Sequence, residues 1–247
     1  MAATIIVPGL WEVSLGFVNA FVLESPDGLA VIDTGIAGSA GKILQAVKEM
    51  GREPTEVRHL LVTHCHSDHA GSVAELKRLT GASVTMHPAD AALVRAGKAL
   101  RPLKPTPGLI NALVCRLMVA SAPTEVEATE VEHEVDDGDI LPIAGGLHVV
   151  HVPGHCAGQL AFLWPEQGGV LIAADAAANV FGLALSPLYE DLAEGQRSLA
   201  KLAALEFEAA CFGHGKPIKR DAAARFRKKW RPNSAPVGQG QATTHAG

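Results

Sequence analysis

The chain has 247 residues, 48% of them hydrophobic and 19% charged, with a formal net charge of −5. That hydrophobic content excludes an intrinsically disordered chain. The acidic balance and an aromatic content of only 4% argue against a basic nucleic-acid-binding face and against an aromatic platform for stacking bases.

The first 35 residues read as β-structure. Residues 17–23 (FVNAFVL) are rich in β-formers, residues 25–28 (SPDG) carry turn chemistry, and residues 29–33 form a second strand. A helix follows, with Ile43, Leu44, Val47 and Met50 at helical spacing and Gly51 as its stop. Residues 57–63 form an apolar strand, residues 71–80 a helix and residues 82–86 a strand. This strand–helix alternation marks an α/β organisation.

Residues 89–122 are rich in Ala and Leu and broken by Pro102, Pro105 and Pro107, which predicts a helical insert of two helices around a proline-kinked turn. A lid, a core element and a dimer interface are all open readings of it. The β pattern returns with a turn at residues 136–139 and strands over 146–152, 159–164 and 169–174. A helix over 196–205, a short strand over 209–212 and a closing helix over 219–230 complete the expected single domain, residues 1–230. Residues 231–247 read as a disordered tail. Four dispersed cysteines, Cys65, Cys115, Cys156 and Cys211, read as free thiols. The first ten residues carry no positive segment and no long apolar core, and the apolar run 109–122 is short for a membrane span, so a cytoplasmic chain is expected.

The 11 histidines are unevenly spread, and residues 63–69 (THCHSDH) pack three histidines and Asp68 into a loop between an apolar strand and a helix. Imidazole and carboxylate are ligands for borderline divalent cations such as Zn²⁺, and the carboxyl end of a strand is where α/β folds place their sites. Four ligands cannot close two sites. Three later residues, His155, Asp175 and His214, each follow an apolar strand. Taken singly, such a histidine reads as solvated and such an aspartate as a helix cap. Their shared position joins them to the loop.

The order H-x-H-x-D-H, Gly154-His155, Asp175 and Gly213-His214-Gly215, with Asp33 at the end of a strand, resembles the metallo-β-lactamase superfamily over residues 15–218. The resemblance implies an α/β (α+β) fold, a four-layer αββα sandwich. It implies that His64, His66 and His155 hold a first metal, that Asp68, His69 and His214 hold a second, that Asp175 bridges them, and that Asp33 orients a ligand histidine from behind. It further implies two Zn²⁺, with Fe or Mn as substitutes, and a hydrolase whose metal-bridging hydroxide attacks a small ester, lactone or thioester. Asp68 is the expected catalytic proton acceptor. Tyr189, the sole tyrosine, is a candidate substrate contact, with an ordinary loop tyrosine as the other reading. Cys65 and Cys156 lie inside the ligand loops and read as packing residues, because seven ligands are complete without them.

The resemblance leaves other reactions open: β-lactam hydrolysis, phosphodiester hydrolysis and mononuclear-iron persulfide dioxygenation. Asp175 at the bridging position speaks against the first. The acidic balance speaks against a polyanion, and the residues after Asp175, all alanine to position 178, speak against the third. The expected partner is a small-molecule substrate, with no nucleic acid and no membrane; a homodimer is left open.

Overall fold

The computed structural model describes residues 3–108, 113 and 122–230. Seven strands form one sheet in sequence order: β1 (Thr4–Val7), β2 (Leu10–Ser14), β3 (Asn19–Ser25), β4 (Gly28–Ile32), β5 (Val57–Leu61), β6 (Ser83–Met86) and β7 (His133–Glu134). Pairing is antiparallel from β1 to β4 and parallel from β4 to β7. Five strands form the second sheet: β8 (Ile140–Leu141), β9 (Leu147–His151), β10 (Leu160–Trp164), β11 (Val170–Ile172) and β12 (Ala209–Cys211). Here β11 and β12 are parallel, with Val170 opposite Ala209 and Ile172 opposite Cys211. Among the described residues the α-helices of eight residues or more are α1 (Ala40–Glu49), α2 (Val73–Thr80), α3 (Pro88–Arg95), α4 (Leu192–Leu202) and α5 (Ala222–Trp230). Among the described residues no helix is long and apolar enough to cross a membrane.

The period-two alternation of the strands builds the layers. Phe21, Leu23, Ala30, Ile32 and Leu61 face Phe162, Val170, Ile172 and Cys211 in a core between the two sheets. Their neighbours Ala20, Val22, Leu29, Val31 and Leu60 point the other way, onto Ile43 and Val47 of α1 and Val73 and Leu76 of α2. On the far side Ala161, Leu171 and Ala210 meet Leu199 of α4 and Phe226 of α5. The result is the expected helix–sheet–sheet–helix order, and β4 is buried along its whole length because both its faces are covered.

Several boundaries differ from the sequence reading, each for a local reason. Strand β5 stops at Leu61 because the Thr63 amide donates to Asp33 Oδ1 at 2.8 Å instead of to a neighbouring strand. Helix α4 starts at Leu192, because Asp191 caps it by accepting from Glu194 N at 3.0 Å. Helix α5 starts only at Ala222, because Ile218 exchanges both backbone bonds with Ala210. Of the expected pair of helices over 89–122, the first is α3, extended chain follows in which Lys104–Pro105 pairs with Leu188–Tyr189, and Leu113 is helical. Pro102, Pro105 and Pro107 supply no amide donors for a helix there. The rest of that expectation, residues 109–112 and 114–121, and the tail 231–247 lie outside the described residues.

Candidate metal centre

All the sequence-predicted ligands come from one edge of the sandwich. Asp33 ends β4, and the loop bearing His64, His66, Asp68 and His69 follows β5, its parallel neighbour. His155 follows β9, Asp175 follows β11 and His214 follows β12, three strands that point the same way in the second sheet. The edge is sewn together by backbone bonds between the sheets. Leu160 N donates to Thr63 O at 2.8 Å, and Asn19 N donates to Gly213 O at 2.9 Å. Asp33 (φ 61°) and Ala174 (φ 45°) adopt left-handed backbone conformations beside the cluster, a form of strain that concentrates at functional sites.

Each histidine is oriented by an acceptor on its Nδ1 side, with one exception. His155 Nδ1–H donates to Leu188 O at 2.8 Å, His214 Nδ1–H to Phe17 O at 2.8 Å, and His69 Nδ1–H to Asp33 Oδ2 at 2.8 Å. His64 Nδ1 lies 3.0 Å from Thr63 Oγ1, whose hydroxyl donates onward to Asp33. These bonds turn the Nε2 lone pairs inward. His66 is the exception: its Nδ1 meets His155 Nε2 at 3.0 Å. Since the only ring proton of neutral His155 is already given to Leu188, two ring nitrogens converge there in the manner of ligands to one cation.

Asp175 faces both groups. Its Oδ2 lies 3.6 Å from His155 Nε2 and 3.1 Å from His214 Nε2, and its Oδ1 lies 3.5 Å from His69 Nε2. Asp68 Oδ2 is 3.4 Å from His214 Nε2 and 3.8 Å from His69 Nε2. His64, His66 and His155 form one group with ligand atoms close enough to share an ion, and Asp68, His69 and His214 form another. The donor set passes a direct test of fit. His64 Nε2, His66 Nε2, His69 Nε2 and Asp175 Oδ1 are buried without a hydrogen-bond partner, and buried polar atoms left so are costly unless something else satisfies them. Neutral imidazole and carboxylate are the chemistry that a divalent cation requires.

The metal-free electrostatics divide the ligands. Burial, aided by neighbouring histidines, holds His64 well below the usual imidazole range and brings His66 to about 3. Burial also lowers His155. For His214 burial works downward too, but Asp175 and Asp68 outweigh it and push the ring up to about 10. His69 is likewise raised against its burial, by Asp175, Asp68 and Asp33. The Asp68 carboxyl is pushed up by burial yet held below its usual range by His69 and His214.

Of the two readings of Tyr189, the structure matches the loop residue and not the substrate contact. Tyr189 is 1% exposed, and its hydroxyl donates to Ala176 O at 3.0 Å and accepts from Ser186 N at 3.1 Å. Its ring stands edge-on to His155 at 6.0 Å. It therefore supports the loop that supplies Leu188 O and does not present its hydroxyl to a substrate. The thiols of Cys65 and Cys156 meet at 3.5 Å, and Cys156 donates to Asp90 at 3.1 Å. Sequence reasoning missed Thr63, Phe17 and Asp90. Thr63 alone left a signal, by standing next to the histidine loop; the ring of Phe17, 58% exposed, stacks on His214 at 6.0 Å.

Comparison with known proteins gives the family and the fold. Residues 13–214 match the family model of the metallo-beta-lactamase superfamily. The probable metallo-hydrolase YflN of Bacillus subtilis is 25% identical over 228 residues, covering 85% of each chain. The hydroxyacylglutathione hydrolase of Cereibacter sphaeroides is 30% identical over 198 residues, covering 79% of this chain, and the match spans only 60% of that enzyme's length. The solved structure of MIM-1, a metallo-β-lactamase from Novosphingobium pentaromativorans, shares the fold with a TM-score of 0.68 at 24% identity, over 86% of this chain and 76% of that one. The chain belongs to the metallo-β-lactamase superfamily of metal-dependent hydrolases.

Proposed function

We propose that this chain hydrolyses a small thioester, ester or lactone at a centre of two divalent cations, zinc being the expected metal. His64, His66 and His155 would hold one cation, Asp68, His69 and His214 the other, with Asp175 between them. The observation that carries this reading is the convergence of the buried, unpartnered His64 Nε2, His69 Nε2 and Asp175 Oδ1 beside the facing ring nitrogens His66 Nδ1 and His155 Nε2. Thioesters stand first because hydroxyacylglutathione hydrolase, by its name, acts on an acylated glutathione.

Cations bound there supply Lewis-acid polarisation and activation of water near neutral pH. The protein's own groups do the rest. Asp33 receives the Thr63 amide, the Thr63 hydroxyl and His69 Nδ1–H, and so fixes two ligand rings from one buried carboxylate. Asp68, with a side chain 21% exposed, is the ionised carboxylate nearest solvent and is placed to accept the proton released by the attacking water. The apolar ring of Phe17 beside His214 offers a wall against which an acyl group can pack.

The test is hydrolysis of a panel of thioesters, esters and lactones by the purified chain, before and after chelation. Turnover lost on chelation and restored by zinc is expected. Turnover that survives complete demetallation overturns the proposal.

A further inference from the structure

We propose that Arg101, with Asp90 and Glu190, is a clamp that positions the two ligand loops against each other, so that Arg101 sets how tightly the trio His64, His66 and His155 holds its cation. The inference rests on the metal-centre reading above.

Asp90 lies in α3, is fully buried, and belongs to neither ligand loop. Its Oδ2 accepts from Cys65 N at 3.0 Å and from the Cys156 thiol at 3.1 Å. Its Oδ1 accepts from Gly158 N at 3.0 Å and from Arg101 Nη1 at 2.7 Å. One carboxylate thus grips the residue between His64 and His66 and, in the other loop, the residue directly after His155. The fit admits no side chain at position 158, where a Cβ would lie 2.5 Å from Asp90 Oδ1. Glu190 adds a second grip on the His155 loop, its Oε2 accepting from Ala157 N at 3.0 Å.

Arg101 is the group that makes this arrangement tenable. A buried carboxylate without a counter-charge costs several kcal/mol. Arg101 Nη1 reaches Asp90 and, at 3.3 Å, both Glu190 Oε1 and Cys156 Sγ, while Nη2 donates to Ala89 O at 2.5 Å. Burial pushes the Asp90 carboxyl up, but the bond and charge of Arg101 outweigh it and hold the group ionised. The same stretch touches the His155 loop from its other side. Three residues on, Lys104–Pro105 pairs with Leu188–Tyr189, and Leu188 O is the acceptor that orients His155. The root of the 89–122 insert is therefore built onto both flanks of the third histidine.

The experiment is competition for zinc between a chromophoric chelator and the stripped full-length chain, in wild type, Arg101→Met and Arg101→Lys. Groups that orient metal ligands are worth about 10–100-fold in metal affinity, and a loss of that size is expected for Arg101→Met. Arg101→Lys should recover part of it, since it keeps the charge but not the two-nitrogen fork. A purely structural role would lower the urea midpoint and leave the zinc affinity of the folded chain unchanged, and that result overturns the proposal. Should Arg101→Met fail to fold, Glu190→Gln keeps the Arg101–Asp90 pair while removing the Arg101–Glu190 ion pair and weakening the grip on Ala157. It should still weaken zinc several-fold, and zinc binding equal to wild type overturns the clamp. A wild-type chain that takes up no zinc defeats the metal-centre reading itself, whereas wild-type binding matched by the variants defeats the clamp alone.

Discussion

Gly213→Ala tests the geometry of the centre with one added methyl group. Gly213 lies just after β12, and a Cβ built on it would stand 2.1 Å from Asp175 Oδ1 and 2.6 Å from His69 Cε1. The backbone there is not left-handed, so alanine meets no conformational penalty of its own. The cost falls on the contact. Ordinary Cβ contacts begin at 3.4 Å, so the Asp175 oxygen must retreat by the difference between 3.4 and 2.1 Å, about 1.3 Å. Displacements on the order of 1 Å cost roughly 10²-fold in rate, equivalent to about 2.7 kcal/mol of transition-state stabilisation. The assay is kcat/KM on the best substrate of the panel, with metal content and circular dichroism measured on the same preparation. Gly41→Ala is the control: it lies in α1 with nothing within 4 Å of its Cβ. A hundredfold loss with the fold retained is expected for Gly213→Ala and no loss for Gly41→Ala. Wild-type turnover and metal content in Gly213→Ala would show that Asp175 and His69 do not hold metal in the arrangement described.

Three further outcomes follow from the same residues. Asp33→Asn places an amide against the Thr63 amide and His69 Nδ1–H; a loss of about 2–4 kcal/mol in urea unfolding is expected, together with weakened metal binding. Tyr189→Phe strips the hydroxyl from Ala176 O and Ser186 N; it should destabilise the fold by about 1–3 kcal/mol while KM stays near wild type, and a large rise in KM would restore the tyrosine to a substrate role. Metal uptake should release protons unequally. In the metal-free chain His214 is pushed up to about 10 and His69 is raised, so both are protonated at pH 7, whereas His64, His66 and His155 are lowered and neutral. The Asp68–His69–His214 site should therefore release about two protons and weaken as pH falls, and the His64–His66–His155 site should release almost none. Calorimetry in buffers of different ionisation enthalpy measures this, and equal release from both sites would refute the division.

The centre was legible in the sequence because its chemistry is concentrated. His64, His66, Asp68 and His69 sit in six residues, and Asp33, His155, Asp175 and His214 each follow a strand whose hydrophobicity announces it. The layers were legible for the same reason, since β4, β5, β9 and β10 carry apolar runs between clear turns. What escaped was long-range polar pairing. Asp90 reads as an ordinary first-turn helix acid and Arg101 as a surface cation, and nothing in either neighbourhood announces that they meet between the two ligand loops. Phe17 and Leu188 act on the histidines largely through backbone carbonyls, which no side-chain pattern encodes. The sequence left Tyr189 between two readings because its loop lies beside His155 while its hydroxyl is spent on backbone. The Asp191 cap was readable in principle, as an Asp with Glu three residues on.

The most direct measurement is metal stoichiometry by elemental mass spectrometry on protein purified without added metal, for wild type, His64→Ala and Asp175→Ala. About two zinc per wild-type chain are expected, with clear loss of metal in both variants and circular dichroism unchanged. A wild-type chain carrying no metal, one carrying a single iron, or variants that keep the full complement would contradict a two-cation centre built from these seven side chains.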